Sequence, residues 1–128
     1  MKVLFDTHAF IWWDSEPSKL SSNARAACED PGNELFFSVA SAWKMEIKLQ
    51  LGKLQLSQAL SDLVATQQQT NGIKVLPIAL THVLHLQRLP AHHKDPFDRL
   101  LIAQANVEDA FLVSHDPAFS RYAVKMLW

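Results

Sequence analysis

The stretch KVLFDTHAFIWWD, residues 2–14, decides how the rest of the chain is read. Its first four residues form a short apolar run that ends at Asp6. Residues 7–14 then carry apolar side chains in a helical rather than an alternating pattern, so the stretch predicts strand, acid, helix. The same unit recurs. ELFFS (34–38) precedes VASAWKMEIKLQL (39–51) and Gly52, which suits a second strand, a capped helix and a glycine stop. LSSNARAACED (20–30), with a Ser cap, runs to the turn DPGN between the two units.

Further along, Leu60, Leu63, Val64 and Gln67 stand at helical spacing before Asn71-Gly72, and IKVLP (73–77) reads as a third strand. LTHVLHLQRLP (80–90) predicts a helix closed by Pro90. DPFDRLLIAQANVEDA (95–110) predicts a long helix with apolar residues on several sides. FLVS (111–114) is a fourth strand and AVKML (123–127) a possible fifth at the edge. Strands alternating with helices imply an α/β fold with a mainly parallel sheet of four to five strands covered on both faces.

With 128 residues, 48% hydrophobic and 20% charged, the chain predicts a single domain, 1–128, able to bury a sizeable core. A formal charge of -1 excludes a globally basic nucleic-acid binder but leaves room for a local patch. Cys28 is the only cysteine, so neither an intrachain disulfide nor a cysteine zinc cage is available. Asp6 interrupts the first apolar run too early for a signal peptide, and no stretch approaches membrane-spanning length. The expected setting is cytoplasmic.

Three acids fall at related places. Asp6 follows the first strand, Asp116 follows the fourth, and Asp98 lies in the first turn of the helix leading into the fourth. Ligand sites of open parallel sheets gather beyond the carboxyl ends of the strands, where strand order reverses, so the acids are candidates to meet there. Meeting carboxylates repel and need a cation, and a hard divalent ion such as Mg²⁺ or Mn²⁺ suits an all-oxygen site. Each acid viewed singly also reads as a helix cap or a dipole-complementing residue, Asp116 before Pro117 just as Asp95 before Pro96.

Other residues carry less. His82, His85, His92 and His93 have no zinc-finger spacing and read as solvated. His8 is close enough to Asp6 in sequence to touch a phosphate, although a helix-surface role is the plainer reading. Trp12, Trp13 and Trp43 read as core or interface rather than base-stacking platforms. Ser38 and Ser41 read as cap and first-turn residues, without a nucleophile elbow.

LFDTHAFIWW, FFSVASAWKMEIKLQLGKL, LPIALTHVLHLQRLPAHHKDPFDRLLIAQA and LVSHD together resemble the PIN-domain ribonucleases, and within them the VapC-like toxins of type II toxin-antitoxin pairs. The resemblance runs nearly end to end. It implies a PIN-like three-layer α/β/α sandwich, a Mg²⁺- or Mn²⁺-dependent endoribonuclease acting on RNA, a cognate antitoxin, and a homodimer. It assigns the metal and the catalysis to Asp6, Asp98 and Asp116, and leaves Asp95 chiefly as the helix-starting residue.

One position departs from the pattern. The family's fourth acid stands directly after the tryptophan, as in SAWE, whereas this chain has SAWKMEIK with Lys44 in that place. Glu46 is two helical steps on, about 200° round the helix, and replaces it only if a local shift or bulge brings it about. Carboxylate to ammonium changes the formal charge by two units. One such pair at about 4 Å and an effective dielectric near 20 is worth roughly 4 kcal/mol before solvation. Lys44 is thus an alternative occupant of the cation's place, bridging Asp6 and Asp98. One Mg²⁺ held by one or two carboxylates, water and substrate phosphate is still compatible with three aspartates.

Thr7, Lys44, Arg99 and Ser114 are candidates to support the acids or touch substrate, and Lys48, Lys53 and Lys94 join Arg99 as candidates for phosphate contacts, with ordinary solvated surface the default reading of those four. Two other classes compete with the nuclease. One is a PIN-like binding module stabilised by Lys44. The other is a phospho-acceptor receiver domain, disfavoured because no acidic pair follows the first strand and no acceptor Asp follows the third.

Overall fold

The computed structural model describes residues 1–92 and 95–128. In chain order its elements are β1 (Lys2–Phe5), α1 (Thr7–Ser15), α2 (Ser22–Glu29), β2 (Glu34–Ser38), α3 (Val39–Gln50) and α4 (Leu60–Asn71). These are followed by β3 (Lys74–Leu76), α5 (Leu80–His85), α6 (Pro96–Glu108), β4 (Phe111–Val113) and β5 (Met126–Leu127). Short 3-10 turns cover Pro17–Lys19, Leu86–Arg88 and Pro117–Arg121. The helix expected over residues 80–90 is therefore a single short α-helix that tightens into a 3-10 turn before Pro90. The expected edge strand is reduced to two residues.

All five strands are parallel, in the order β3-β2-β1-β4-β5. Leu4, at the centre of β1, pairs with Phe36 on one side and Leu112 on the other. Successive strand residues face opposite sides of a sheet, and here the two sides are both covered. Val3 and Phe5 join Phe10, Ala24, Phe37, Met45 and Leu63 in the core beneath α1 to α4. Leu4 joins Leu101, Ile102, Ala105 and Leu112 in the core beneath α6. The result is three layers.

Polar caps set where each helix begins. Asp6, Ser21, Ser38, Asp95 and Asp116 each accept a backbone N–H from the turn they start. Gly72, at φ 64°, closes α4 in the left-handed conformation that glycine adopts without a Cβ penalty. Phe10 stacks on Phe37 with ring centroids 4.0 Å apart, locking α1 onto β2.

A buried polar chain crosses the other layer. Ser38 at the end of β2 donates to Gln104 Oε1 of α6, and Gln104 Nε2 donates to the Pro77 carbonyl at 3.3 Å. His82 lies beside it, with Nε2 2.9 Å from Glu108 and Nδ1 accepting the Ala79 N–H. His82 is buried, which corrects the expectation of a solvated side chain: α5 packs its inward turn onto α6, and Glu108 and the Ala79 amide satisfy both ring nitrogens. His93 and Lys94 lie outside the described residues.

Candidate functional site

From β1 the chain steps outward to β2 and β3, then returns so that β4 pairs on the opposite side of β1. This reversal opens a crevice between the carboxyl ends of β1 and β4, the place where open α/β sheets bind ligands. Asp6 leaves β1 into it, and Ser114, His115 and Asp116 leave β4 into it. Asp6 Oδ1 accepts the Ala9 N–H at 2.7 Å, and Oδ2 accepts the Ser114 hydroxyl at 2.5 Å. Ser114 Oγ in turn accepts the Asp116 N–H at 3.0 Å, and Asp116 Oδ1 caps the following turn through Ala118. Ser114 thereby fixes the two acids relative to one another.

Asp6 is 8% exposed. Burial pushes its carboxyl above the usual carboxylate range, outweighing the hydrogen bonds from Ser114 and Ala9 and the nearby His8, while the charge of Asp98 adds to the rise. Asp98 is therefore near enough to be felt, although Lys44 engages it directly.

At the start of α6, Asp95 divides its two oxygens between two tasks. Oδ1 accepts the N–H groups of Phe97 and Asp98, and Oδ2 meets the Lys44 ammonium at 2.8 Å. Lys44 Nζ is also 3.2 Å from Asp98 Oδ1. Burial lowers the tendency of Lys44 to hold its proton, but Asp95 and Asp98 more than reverse this and raise its pKa. The same pairing and the cap bonds, working against burial, lower that of Asp95. The expected bridge from Lys44 to Asp6 and Asp98 is corrected to one joining Asp95 and Asp98. Three residues apart on one turn of α6, those carboxylates flank the point where α3 packs, and the ammonium reaches both.

The remaining expected residues fall as follows. Helix α3 runs without interruption, and Glu46 is exposed on it rather than turned towards the acids. Arg99 donates to the carbonyls of Pro90 and Leu86 and to the Tyr122 hydroxyl, tying α6 to the segment before it. Thr7 is buried at the start of α1, its hydroxyl without a hydrogen-bond partner among the described residues. Lys48 is half-buried and Lys53 exposed. A cavity of about 240 Å³ is lined by Asp6, Asp116, His8, Trp12 and His115. Its aromatic wall was not foreseen, since nothing in the spacing links Trp12 to residues a hundred positions later.

The donor chemistry fits a hard divalent cation in a specific way. Among the described residues no three His, Cys, Asp or Glu side chains form a ready-made metal cluster. Two carboxylates do share a cavity, the buried one destabilised as an anion by its surroundings, with the unpartnered Thr7 hydroxyl next to it in the chain. Mg²⁺ is commonly held by one or two carboxylates and completed by water and phosphate, and Asp6 and Asp116 are carboxylates of the kind such an ion takes. Asp98, expected as a third ligand, is engaged by Lys44 through Oδ1.

A family model for the PIN domain matches residues 3–125. Ribonuclease VapC22 of Mycobacterium tuberculosis (strain ATCC 25618 / H37Rv) is 33% identical over 121 residues, covering 89% of this chain and 86% of that protein. The VapBC2 structure from Rickettsia felis, bound to a DNA fragment from its promoter, contains a chain with TM-score 0.70 at 12% identity, covering 98% of this chain and 97% of that one. VapBC-1 from nontypeable Haemophilus influenzae gives 0.61 at 18%, covering 98% and 96%. The crevice lies at the switch point of an open parallel α/β sheet, with Asp6 and Asp116 on its wall. The chain belongs to the PIN-domain family and is VapC-like.

Proposed function

We propose that this chain is an endoribonuclease toxin that cleaves RNA phosphodiesters with Mg²⁺ or Mn²⁺. The observation that carries the reading is the convergence of Asp6 and Asp116 on one cavity at the switch point, coupled through Ser114. Asp6 and Asp116 would hold the ion. When bound, such an ion supplies Lewis acidity towards a phosphodiester and lowers the pKa of water. The chain's own contribution is orientation. The Ala9 amide and Ser114 fix the Asp6 carboxylate before any ligand arrives, and burial of Asp6 strengthens its preference for a cationic partner. No nucleophilic side chain is required.

The reading is tested by RNA cleavage in Mg²⁺ and Mn²⁺. Asp6→Asn and Asp116→Asn, each folded as wild type by circular dichroism, are expected to lower the rate by at least about two orders of magnitude. Unchanged cleavage in either variant overturns the assignment of that residue, and unchanged cleavage in both overturns the site.

Relatives in VapBC assemblies support a cognate antitoxin as the neutralising partner. A second copy of the chain is supported by exposed apolar residues: Val39, Trp43 and Ile47 line one stripe of α3, Leu51 stands at its C-terminal cap, and Leu80, Val83 and Leu84 lie on α5. Residues 1–128 act as one domain. Among the described residues no helix is long and apolar enough to cross a membrane, and together with the lone buried Cys28 this supports a cytoplasmic setting.

The Lys44 pairing favours a second reading, a catalytically weakened binding module in which an ammonium replaces the fourth acid. The two readings differ in what Lys44→Glu does to ion affinity.

A further inference from the structure

Beside the two carboxylates, the remaining walls of the 240 Å³ cavity are all aromatic: His8, Trp12 and His115. His115 lies flat on Trp128, with ring centroids 5.1 Å apart and planes 2° from parallel. Trp12 stands 6.1 Å from Trp128 at 58°, and the His8 and Trp12 rings form a T-shaped pair at 5.9 Å and 81°. His8 and Trp12, four residues apart, share one face of α1. The Lys19 ammonium lies 5.8 Å from the Trp12 ring centroid.

Trp12 and Trp128 rest partly on the core, which accounts for their inner faces. It does not account for His115, an exposed residue whose ring prolongs the Trp128 stack, nor for an aromatic wall placed against the acids. A flat ring entering the cavity would meet His115, which is itself stacked on Trp128. Stacking on aromatic and histidine rings is how proteins hold the splayed bases of single-stranded RNA. A nearby cation suits the backbone that such a base carries, and Lys19, whose ammonium lies over the Trp12 ring, supplies it.

We propose that this cavity is a stacking subsite for one unpaired nucleobase of single-stranded RNA, seated on Trp12 and His115 next to the phosphodiester presented to Asp6 and Asp116. The inference rests on the nuclease reading and deepens it. The substrate must be unpaired at that position, because a base held in a duplex cannot enter the cavity. Stacking tolerates every base, so the subsite selects single strands rather than a sequence.

The test is binding of a nuclease-resistant 2′-O-methyl single-stranded RNA by fluorescence anisotropy, with an abasic residue moved through each position in turn. Wild type should lose about tenfold in affinity at one position and little elsewhere. Trp12→Ala and His115→Ala should each weaken the intact oligonucleotide and reduce the abasic penalty at that position, the signature of coupled groups. Trp12→Phe should retain most of the affinity. His115 is exposed, so its variant is informative even if Trp12→Ala melts early. A flat abasic scan, no binding, or an undiminished penalty in both alanine variants overturns the subsite. So does a loss confined to antitoxin binding, which would make the cavity a protein-docking pocket. A position-specific penalty without cleavage of ordinary RNA overturns the nuclease reading alone. Cleavage with a flat scan overturns the subsite alone.

Discussion

The Lys44 ammonium stands 3.2 Å from Asp98 Oδ1, inside the distance at which a side chain can act as a tethered cation. Both side chains are largely shielded, at 16% and 11% exposure, so solvent screens the pair less than it would at the surface. Lys44 therefore competes with any ion that seeks Asp98.

Lys44→Glu removes that competitor and adds a carboxylate. On the binding-module reading, Mn²⁺ affinity, measured by electron paramagnetic resonance titration, is expected to rise by at least about tenfold, with faster RNA cleavage. In the absence of ion the same variant should melt earlier than wild type, because three like charges then face one another at the start of α6. Equal Mn²⁺ affinity in the two proteins refutes a controlling role for Lys44.

Asp95 offers a way to separate its two tasks. Asp95→Asn keeps an oxygen for the Phe97 and Asp98 amides but loses the charge facing Lys44, whereas Asp95→Ala loses both. Urea denaturation should show the Ala variant less stable than the Asn variant by about 1 kcal/mol, the usual worth of a helix cap. Equal stabilities would mean that the cap contributes nothing here.

Cys28 lies on the buried face of α2, and burial, helped by the Glu29 charge, pushes its thiol up to about 12. At pH 8 that leaves a thiolate fraction of about one in ten thousand, and the thiolate is the reactive form. Aromatic disulfide reagents should label the native chain orders of magnitude more slowly than the urea-unfolded chain. Rapid labelling of folded protein would contradict the packing around α2.

Much of the architecture was legible because local signals agreed. Apolar runs such as VLF and LFF, each ending at a polar cap, mark where a buried strand hands over to a helix, and the repeat of that unit demands a covered parallel sheet. The neighbourhood of Asp6 and Asp116 follows from the same logic, since both leave strands at one end of the sheet. What escaped the sequence depended on the facing of one helix against another. Nothing local tells that α3 meets α6 at its first turn, so Lys44 was expected on Asp6 rather than Asp95. Gln104 and His82 look like polar helix faces. They are buried because they satisfy one another's neighbours across Ser38, Pro77 and Glu108, and a pairing across layers leaves no trace in periodicity.

The most direct measurement is a crystal structure of the protein soaked in Mn²⁺, read by anomalous scattering. One ion is expected on Asp6 and Asp116, with the Lys44 ammonium still seated between Asp95 and Asp98. A crevice that takes up no ion at Mn²⁺ concentrations supporting cleavage, or an ion bound away from both Asp6 and Asp116, would contradict it.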